Sequence, residues 1–316
     1  MIVNSLRMIV MKKKSPALFG LVACALLLAA CGSASNGASS GSKPRIVASF
    51  YPFAFVAEQV GGTNVEVENL TAPGIEPHDL ELKPRQVGAV QDAELVIFEK
   101  HFQPAVDEAV NQAGRNDKDT VDVAKLVKLQ LLAQGAVAEQ GPVGDDPHVW
   151  LDPVNMMAIT DAVRTRLSAV DPEHAATYAD NAAALTAKLT SLDKAFSSGL
   201  AQCSTAKIVT SHAAFGYLAK RYGLDQVPIA GLDPSNEPSL AQLADITTLV
   251  RRDKITTIFT EELVSPAIAD TVAKATGAKT ATLDPIEGLS DETAHEDYLS
   301  LMAKNLAVIK KANNCS

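Results

Sequence analysis

From Arg45 onward the apolar positions switch between two spacings in an order that recurs. Ile46–Gly61 reads IVASFYPFAFVAEQVG and Ile208–Gly223 reads IVTSHAAFGYLAKRYG. The second segment follows the first at a constant offset of 162, with identities at Ile46/Ile208, Val47/Val209, Ser49/Ser211, Phe53/Phe215, Ala57/Ala219 and Gly61/Gly223. Each opens on β-branched residues, turns, and continues with apolar residues at helical spacing up to a glycine, which predicts a strand followed by a helix. Pro73-Gly-Ile-Glu76-Pro77 is answered by Pro234-Ser-Asn-Glu237-Pro238, Ile97-Phe98 by Ile258-Phe259, and Pro104-Ala105 by Pro266-Ala267. Four matches in one order predict an α/β fold of two similar lobes, residues 45–170 and 203–316, each with a small, mostly parallel sheet flanked by helices.

A different period joins them. Tyr178, Ala182, Leu185, Leu189, Leu192 and Phe196 recur every three or four residues and form one apolar stripe. Asp171-Pro172-Glu173 supplies a helix start, and no Pro or Gly intervenes before Gly199. The spacing predicts a connecting helix within residues 171–202, about 43 Å long if it begins at Pro172. A continuous helix resists bending, so the lobes should move little when a ligand binds.

The first residues behave as an address. Lys12-Lys13-Lys14 precedes an apolar run from Ala17 to Ala30, which is short for a bilayer span and has the order of a signal peptide. It ends Leu28-Ala29-Ala30-Cys31-Gly32, which looks like a lipobox and implies removal of the preceding residues with a lipid on Cys31. The alternative is an ordinary cleaved signal with an incidental cysteine. Met11 is an alternative start, because residues 1–10 add nothing a signal needs. Residues 32–44 hold no apolar side chain larger than Ala before Pro44 and should be a tether of roughly 20 Å reach. Of four cysteines, Cys24 leaves with the signal and Cys31 takes the lipid. Cys203 and Cys315 remain, which suggests one disulfide in an oxidising compartment. Two free thiols or a thiolate metal site are the alternatives, although neither cysteine has a further Cys or His nearby in sequence.

Charge narrows the partners. The 316 residues carry 28 Lys+Arg against 37 Asp+Glu. Losing residues 1–30 removes four bases and no acid, leaving 24 against 37. That balance argues against nucleic acid or an anionic membrane face as the partner and suits a cationic ligand.

Six histidines are present. His78 lies in the Pro-flanked stretch Glu76-Pro-His-Asp-Leu-Glu81, His148 in Asp146-Pro-His-Val-Trp-Leu-Asp152, and His212 directly after the strand Ile208–Ser211. Asp284 closes the apparent strand 280–283, before Pro285. Ligands of open α/β sheets gather beyond the carboxyl ends of strands, where all four can be placed. The repeat puts His212 where the first lobe has Phe50, and His78 where the second has Ser239. Imidazoles at non-equivalent places on a shared scaffold point to one asymmetric site between the lobes. His174 and His295 read as solvated, the latter on a charged helix face. His101 is open between a cleft-rim residue and an auxiliary ligand.

The stretches Pro77-His78-Asp79 with Glu81, Asp146-Pro147-His148-Val149-Trp150-Leu151-Asp152-Pro153, Ser211-His212 through Phe215 and Tyr217, and Leu283-Asp284-Pro285 together carry a family resemblance. From Arg45 to its end the chain resembles the metal-specific solute-binding lipoproteins of bacterial ABC importers, the zinc-uptake component A family (solute-binding protein family 9), which includes zinc and manganese carriers and surface proteins once called adhesins. The resemblance implies a metal ion held between the lobes by His78, His148, His212 and Asp284. It further implies a rigid linking helix, and a monomer that is lipid-anchored outside the cytoplasmic membrane and delivers its ion to a membrane permease. Glu261 matches an acidic position of the family and is a neighbouring or reserve ligand. Phe98-Glu-Lys-His101-Phe departs from the expected glycine-containing pattern. Three imidazoles and one carboxylate suit Zn2+, with Mn2+ the alternative. The absence of a His-rich tract in residues 130–145 weakens the zinc assignment without reversing it. A metallohydrolase using the same ion is the competing class, since Glu261 or Glu287 could serve as a base; a fourth protein ligand would close the open position that catalysis needs. Adhesion is a third function, which can coexist with transport.

Overall fold

The computed structural model describes residues 42–131 and 145–316. The signal segment, Cys31, most of the expected tether and most of the 130–145 loop lie outside these described residues.

In the first half, strands β1 (Arg45–Ala48), β2 (Glu66–Asn69), β3 (Leu95–Phe98) and β4 (Thr120–Asp122) alternate with helices α1 (Tyr51–Gly61), α2 (Pro84–Asp92) and α3 (Pro104–Gln112). A two-stranded antiparallel hairpin, β5 (Gln130–Leu131) with β6 (Asp145–Asp146), leads into α4 (Pro153–Val170). Then come α5 (Ala175–Gly199) and a second series: β7 (Lys207–Thr210), α6 (Gly216–Tyr222), β8 (Asp225–Pro228), α7 (Leu240–Arg252), β9 (Thr257–Thr260), α8 (Ala267–Thr276), β10 (Lys279–Thr282) and α9 (Tyr298–Ala312).

The repeat is visible in the sheets. The first runs β2-β1-β3-β4 and the second β8-β7-β9-β10, every pair parallel. The inner strands β1, β3, β7 and β9 are almost wholly buried, as apolar runs between helical layers should be. The carboxyl ends of β1 and β7 differ, however. Phe50 is the N-cap residue of α1, which starts at once with Pro52 in its first turn. After β7 the chain makes a five-residue turn, 211–215, before α6 begins. That turn holds His212.

The pairing of His78 with Ser239 does not survive in the structure. Ser239 caps α7, and the first-half residue that caps the corresponding helix is Lys83. Fourteen residues (70–83) join β2 to α2, whereas eleven (229–239) join β8 to α7. The longer connection carries His78 as an addition to the shared scaffold.

The linking segment is slightly shorter than its pattern suggests. Pro172–His174 forms a separate 3-10 turn, where the Asp171 carboxylate accepts from Tyr178 Oη at 2.6 Å and lies 2.7 Å from His174 Nδ1. Twenty-five continuous helical residues follow, about 37 Å. All six stripe residues are buried on that helix. It packs on α1 and α4 and also on α9, so one hydrophobic cluster runs from Phe53 through Leu189 to Tyr298 and Ile309. Arg221 on α6 adds a polar tie, reaching Asp193 on α5 at 2.8 Å and Asp152 at the start of α4 at 3.2 Å. Ser42–Ser316 is accordingly one compact unit. Among the described residues no helix is long and apolar enough to cross a membrane. His295 sits in a turn preceding α9, not on a helix face.

Cys203 and Cys315 are disulfide-bonded across 112 residues, tying the approach to β7 to the chain beyond α9. The chain-entropy cost that a cross-link of this span removes is at most about 4–5 kcal/mol. Cys203→Ser is therefore expected to lower unfolding stability in denaturant titrations by about 2–5 kcal/mol. An unchanged midpoint would show that the bond constrains nothing.

Candidate metal centre

Three sheet-end segments and one turn deliver the site. His78 comes from the long β2–α2 connection, His148 from the residues after β6, His212 from the turn after β7, and Glu287 from the segment after β10. Their ligand-capable atoms lie within 4.8 Å of one another. Glu287 Oε1 is 3.3 Å from His78 Nε2, 3.3 Å from His148 Nε2 and 3.5 Å from His212 Nε2. His148 Nε2 and His212 Nε2 are 3.2 Å apart. Ligand atoms about 2.0–2.1 Å from a tetrahedral ion stand about 3.3–3.4 Å from each other. The four observed separations fall around that edge length.

The surroundings hold these atoms in place. His148, His212 and Glu287 are at most 1% exposed. The Nδ1 atoms of two rings face carboxylates, Asp146 Oδ1 for His148 at 2.8 Å and Glu261 Oε2 for His212 at 2.6 Å. The same carboxylates accept from the backbone N–H groups of His148 and His212, both at 3.0 Å. A carboxylate on Nδ1 fixes ring orientation and leaves Nε2 to face the centre, an arrangement that also raises ligand basicity. Glu76 does part of this for His78 by accepting from its backbone N–H at 3.0 and 3.1 Å. An aromatic wall lies behind: Phe102 packs 4.7 Å from the His78 ring and Trp150 5.2 Å from the His148 ring. Phe50, the counterpart of His212 in the repeat, fills the space beneath both, 5.0 Å from Phe102 and 4.7 Å from Trp150.

Without a cation, the cluster balances its own charge. Burial opposes ionisation of Glu287, but hydrogen bonding to His148, His212 and His78 outweighs it and holds the carboxyl well below its usual range. Burial likewise opposes a proton on His212, yet Glu261 and Glu287 carry its pKa well above the ordinary imidazole value. His148 is raised against the same burial cost by Asp146 and Glu287. Glu287 Oε2 is buried with no hydrogen-bond partner. A cation at the centre, against Oε1, would displace the imidazole protons.

The structure brings together three of the four residues expected as ligands and replaces the fourth. Asp284 is not in the cluster; Glu287, three residues on, is. Asp284 makes a turn instead. Its Oδ1 accepts from Ile286 N–H at 2.7 Å, and Asn305 clasps its backbone, accepting from Asp284 N–H at 2.9 Å and donating to Asp284 C=O at 2.6 Å. Trp150 Nε1 donates to the Pro285 carbonyl at 2.7 Å. Ile286 is buried at φ 58°, a conformation that costs a β-branched residue and persists only when over-determined by its neighbours. The resulting reversal aims Glu287 into the centre. A sequence clue existed: Asp before Pro at a strand end is a turn-former. Glu261, which the family resemblance implies as a neighbouring or reserve ligand, stands beside His212 with its carboxylate on the ring Nδ1. His101 does not join: its side chain is 79% exposed, and its backbone N–H donates to Asp107 Oδ2 at 2.9 Å.

Comparison with known proteins gives concordant results. The sequence model of the family described as zinc-uptake complex component A, periplasmic, matches residues 46–312. The zinc-binding lipoprotein AdcA of Streptococcus pneumoniae is 40% identical over 316 aligned residues, covering 96% of this chain and 62% of AdcA. The chain thus spans less than two thirds of that relative's length. The Zn(II)-bound ZnuA-like domain of AdcA superposes with a TM-score of 0.73 at 39% identity, covering 86% of this chain and 99% of the domain. The high-affinity zinc uptake system protein ZnuA of Bacillus subtilis is 35% identical over 315 residues, covering 95% of this chain and 98% of that protein. The laminin binding protein Lmb of Streptococcus agalactiae, described as bifunctional with adhesin and metal transporting activity, gives a TM-score of 0.75 at 30% identity, covering 85% of this chain and 99% of Lmb.

Proposed function

The chain belongs to the zinc-uptake complex component A family, and on that premise we propose that it captures a zinc ion outside the cytoplasmic membrane and passes it to the permease of an ABC importer. His78, His148, His212 and Glu287 bind the ion. Asp146 and Glu261 orient two of the imidazoles, and the Asp284–Glu287 turn presents the carboxylate. The observation that carries this reading is the convergence of three Nε2 atoms and one carboxylate oxygen within 4.8 Å of one another in a buried centre, with the carboxylate oxygen 3.3–3.5 Å from each nitrogen. Three nitrogens and one oxygen favour zinc over manganese, which takes more oxygen ligands. Four protein ligands complete a tetrahedron, so the site supports storage and transfer of the ion better than hydrolysis. A lipid on Cys31 and the polar segment after it tether the body to the membrane surface.

The test is metal analysis of residues 32–316 purified without chelator, followed by competition between zinc and manganese. One zinc per chain is expected, retained against excess manganese; manganese displacing zinc would overturn the assignment. The same titration carries a pH signature. Capture must release the protons that the raised pKa values of His148 and His212 hold in the metal-free protein. Zinc affinity should therefore fall with acidification, starting above the ordinary imidazole pKa of about 6.5. An affinity flat from pH 8 to 5.5 would contradict imidazole ligation.

A further inference from the structure

Asp146 is seated in an unusual way. It is 2% exposed, and its Oδ1 is committed to His148 through both the ring and the backbone N–H. Its other oxygen rests against the first residue of α6, in the opposite half of the molecule. A Cβ built on Gly216 would stand 2.4 Å from Asp146 Oδ2, closer than real Cβ atoms approach anything. Gly216 has no positive φ, so freedom of the backbone does not explain the glycine. Space for the carboxylate does.

The neighbouring residue completes the seat. Tyr217 Oη donates to the Asp146 carbonyl at 2.9 Å and accepts from Gln130 N–H at 2.9 Å, so it grips both strands of the β5–β6 hairpin. Tyr217 is 2% exposed and its Oη can serve both contacts only where it stands. The segment that carries His212 into the centre, 211–217, therefore also fixes the carboxylate that orients His148.

We propose that Gly216 is a positioning residue for metal binding: its missing side chain admits the Asp146 carboxylate that sets the His148 ring, so that α6 controls a ligand belonging to the other half. The inference rests on His148 being a zinc ligand. A methyl group at 216 must move Asp146, because a short buried side chain with one oxygen already engaged twice has no free direction. His148 then loses its orienting partner while every ligand remains in the chain. Losses of this kind typically cost about 10–100-fold in metal affinity.

The experiment compares zinc affinity, by chelator competition, in the wild-type chain, Gly216→Ala, Asp146→Ser and the double variant. Co2+ absorption serves as the readout of ligand geometry. Gly216→Ala should bind zinc about 10–100-fold more weakly, with its Co2+ ligand-field bands shifted toward those of Asp146→Ser. In the double variant the methyl group meets no carboxylate, so its affinity should equal that of Asp146→Ser alone. A wild-type chain that binds no zinc would remove the underlying reading. A wild-type chain that binds zinc beside a Gly216→Ala protein of equal affinity would overturn the inference alone. So would a Gly216→Ala loss that adds in full to that of Asp146→Ser. Should Gly216→Ala fail to fold, the comparison of Asp146→Ser with the double variant decides: equal affinities support the role, and a further loss overturns it.

Discussion

Replacing His212 with Ala is expected to lower zinc affinity by more than about 100-fold, beyond what the loss of an orienting neighbour costs. Two effects act together. The centre loses one of its three imidazole nitrogens, and Glu261, which accepts from both His212 Nδ1 and His212 N–H, loses its ring partner while it stays 6% exposed. A buried carboxylate stripped of a charge-assisted partner is costly, so the metal-free variant should also melt lower than the wild type. The two contributions separate by measurement. Chelator competition gives the affinity, and the zinc-induced rise in melting temperature gives the linkage, because a ligand that binds only the folded state stabilises it by RT ln(1 + [L]/Kd). Wild type should gain several degrees in excess zinc and the variant little. Unchanged stoichiometry and affinity would take His212 out of the site and with it the convergence on which the proposed function stands.

That residue also shows how far the sequence could be read. The offset of 162 located both sheets because the inner strands bury apolar runs on two faces, and such runs tolerate few substitutions. It placed His212 opposite Phe50 because both follow the last residues of an equivalent strand. The structure shows why the exchange is possible. Phe50 packs behind the centre against Phe102 and Trp150, whereas His212 enters the centre from the other side. The setting of His78 between Pro77 and Asp79 marks it as a candidate, but its pairing with Ser239 fails, since the connection that carries it is longer than its counterpart. A sequence offset has no means of distinguishing an inserted loop residue from a substituted one when the same Glu-Pro pair precedes both. The seat of Asp146 was illegible for a further reason: Gly216 begins a helix, where glycine ordinarily means little, and only the approach of a distant carboxylate gives it meaning.

The fourth ligand separates the two kinds of information most sharply, and it yields the second prediction of large effect. Asp284 and Glu287 lie three residues apart, and both carry a buried carboxylate oxygen without a partner. Their environments differ. Glu287 faces three imidazoles and is held ionised. Asp284 faces none: burial raises its pKa to about 7, and Glu262, Glu287 and Glu261 push in the same direction against the Ile286 N–H. A carboxyl that favours its proton is a poor partner for a cation, and one whose Oδ1 already secures a strained turn has a structural task. Glu287→Gln should therefore lower zinc affinity by an order of magnitude or more, at the scale of other lost charge-assisted contacts. Asp284→Asn keeps the Oδ1 acceptor for Ile286 and should leave stoichiometry at one zinc with affinity nearly unchanged. Stability of the metal-free protein provides an independent check. The folded pKa of Asp284 exceeds its unfolded value of about 3.9, so the folded state binds more protons between these limits, and this residue makes stability fall as pH rises from about 4 to about 7. Asp284→Asn abolishes that slope, and its melting temperature should gain on the wild type between pH 5 and pH 8. The opposite pattern, zinc lost in Asp284→Asn and kept in Glu287→Gln, would return the ligand role to Asp284 and leave Glu287 as the buried counter-charge of the histidines.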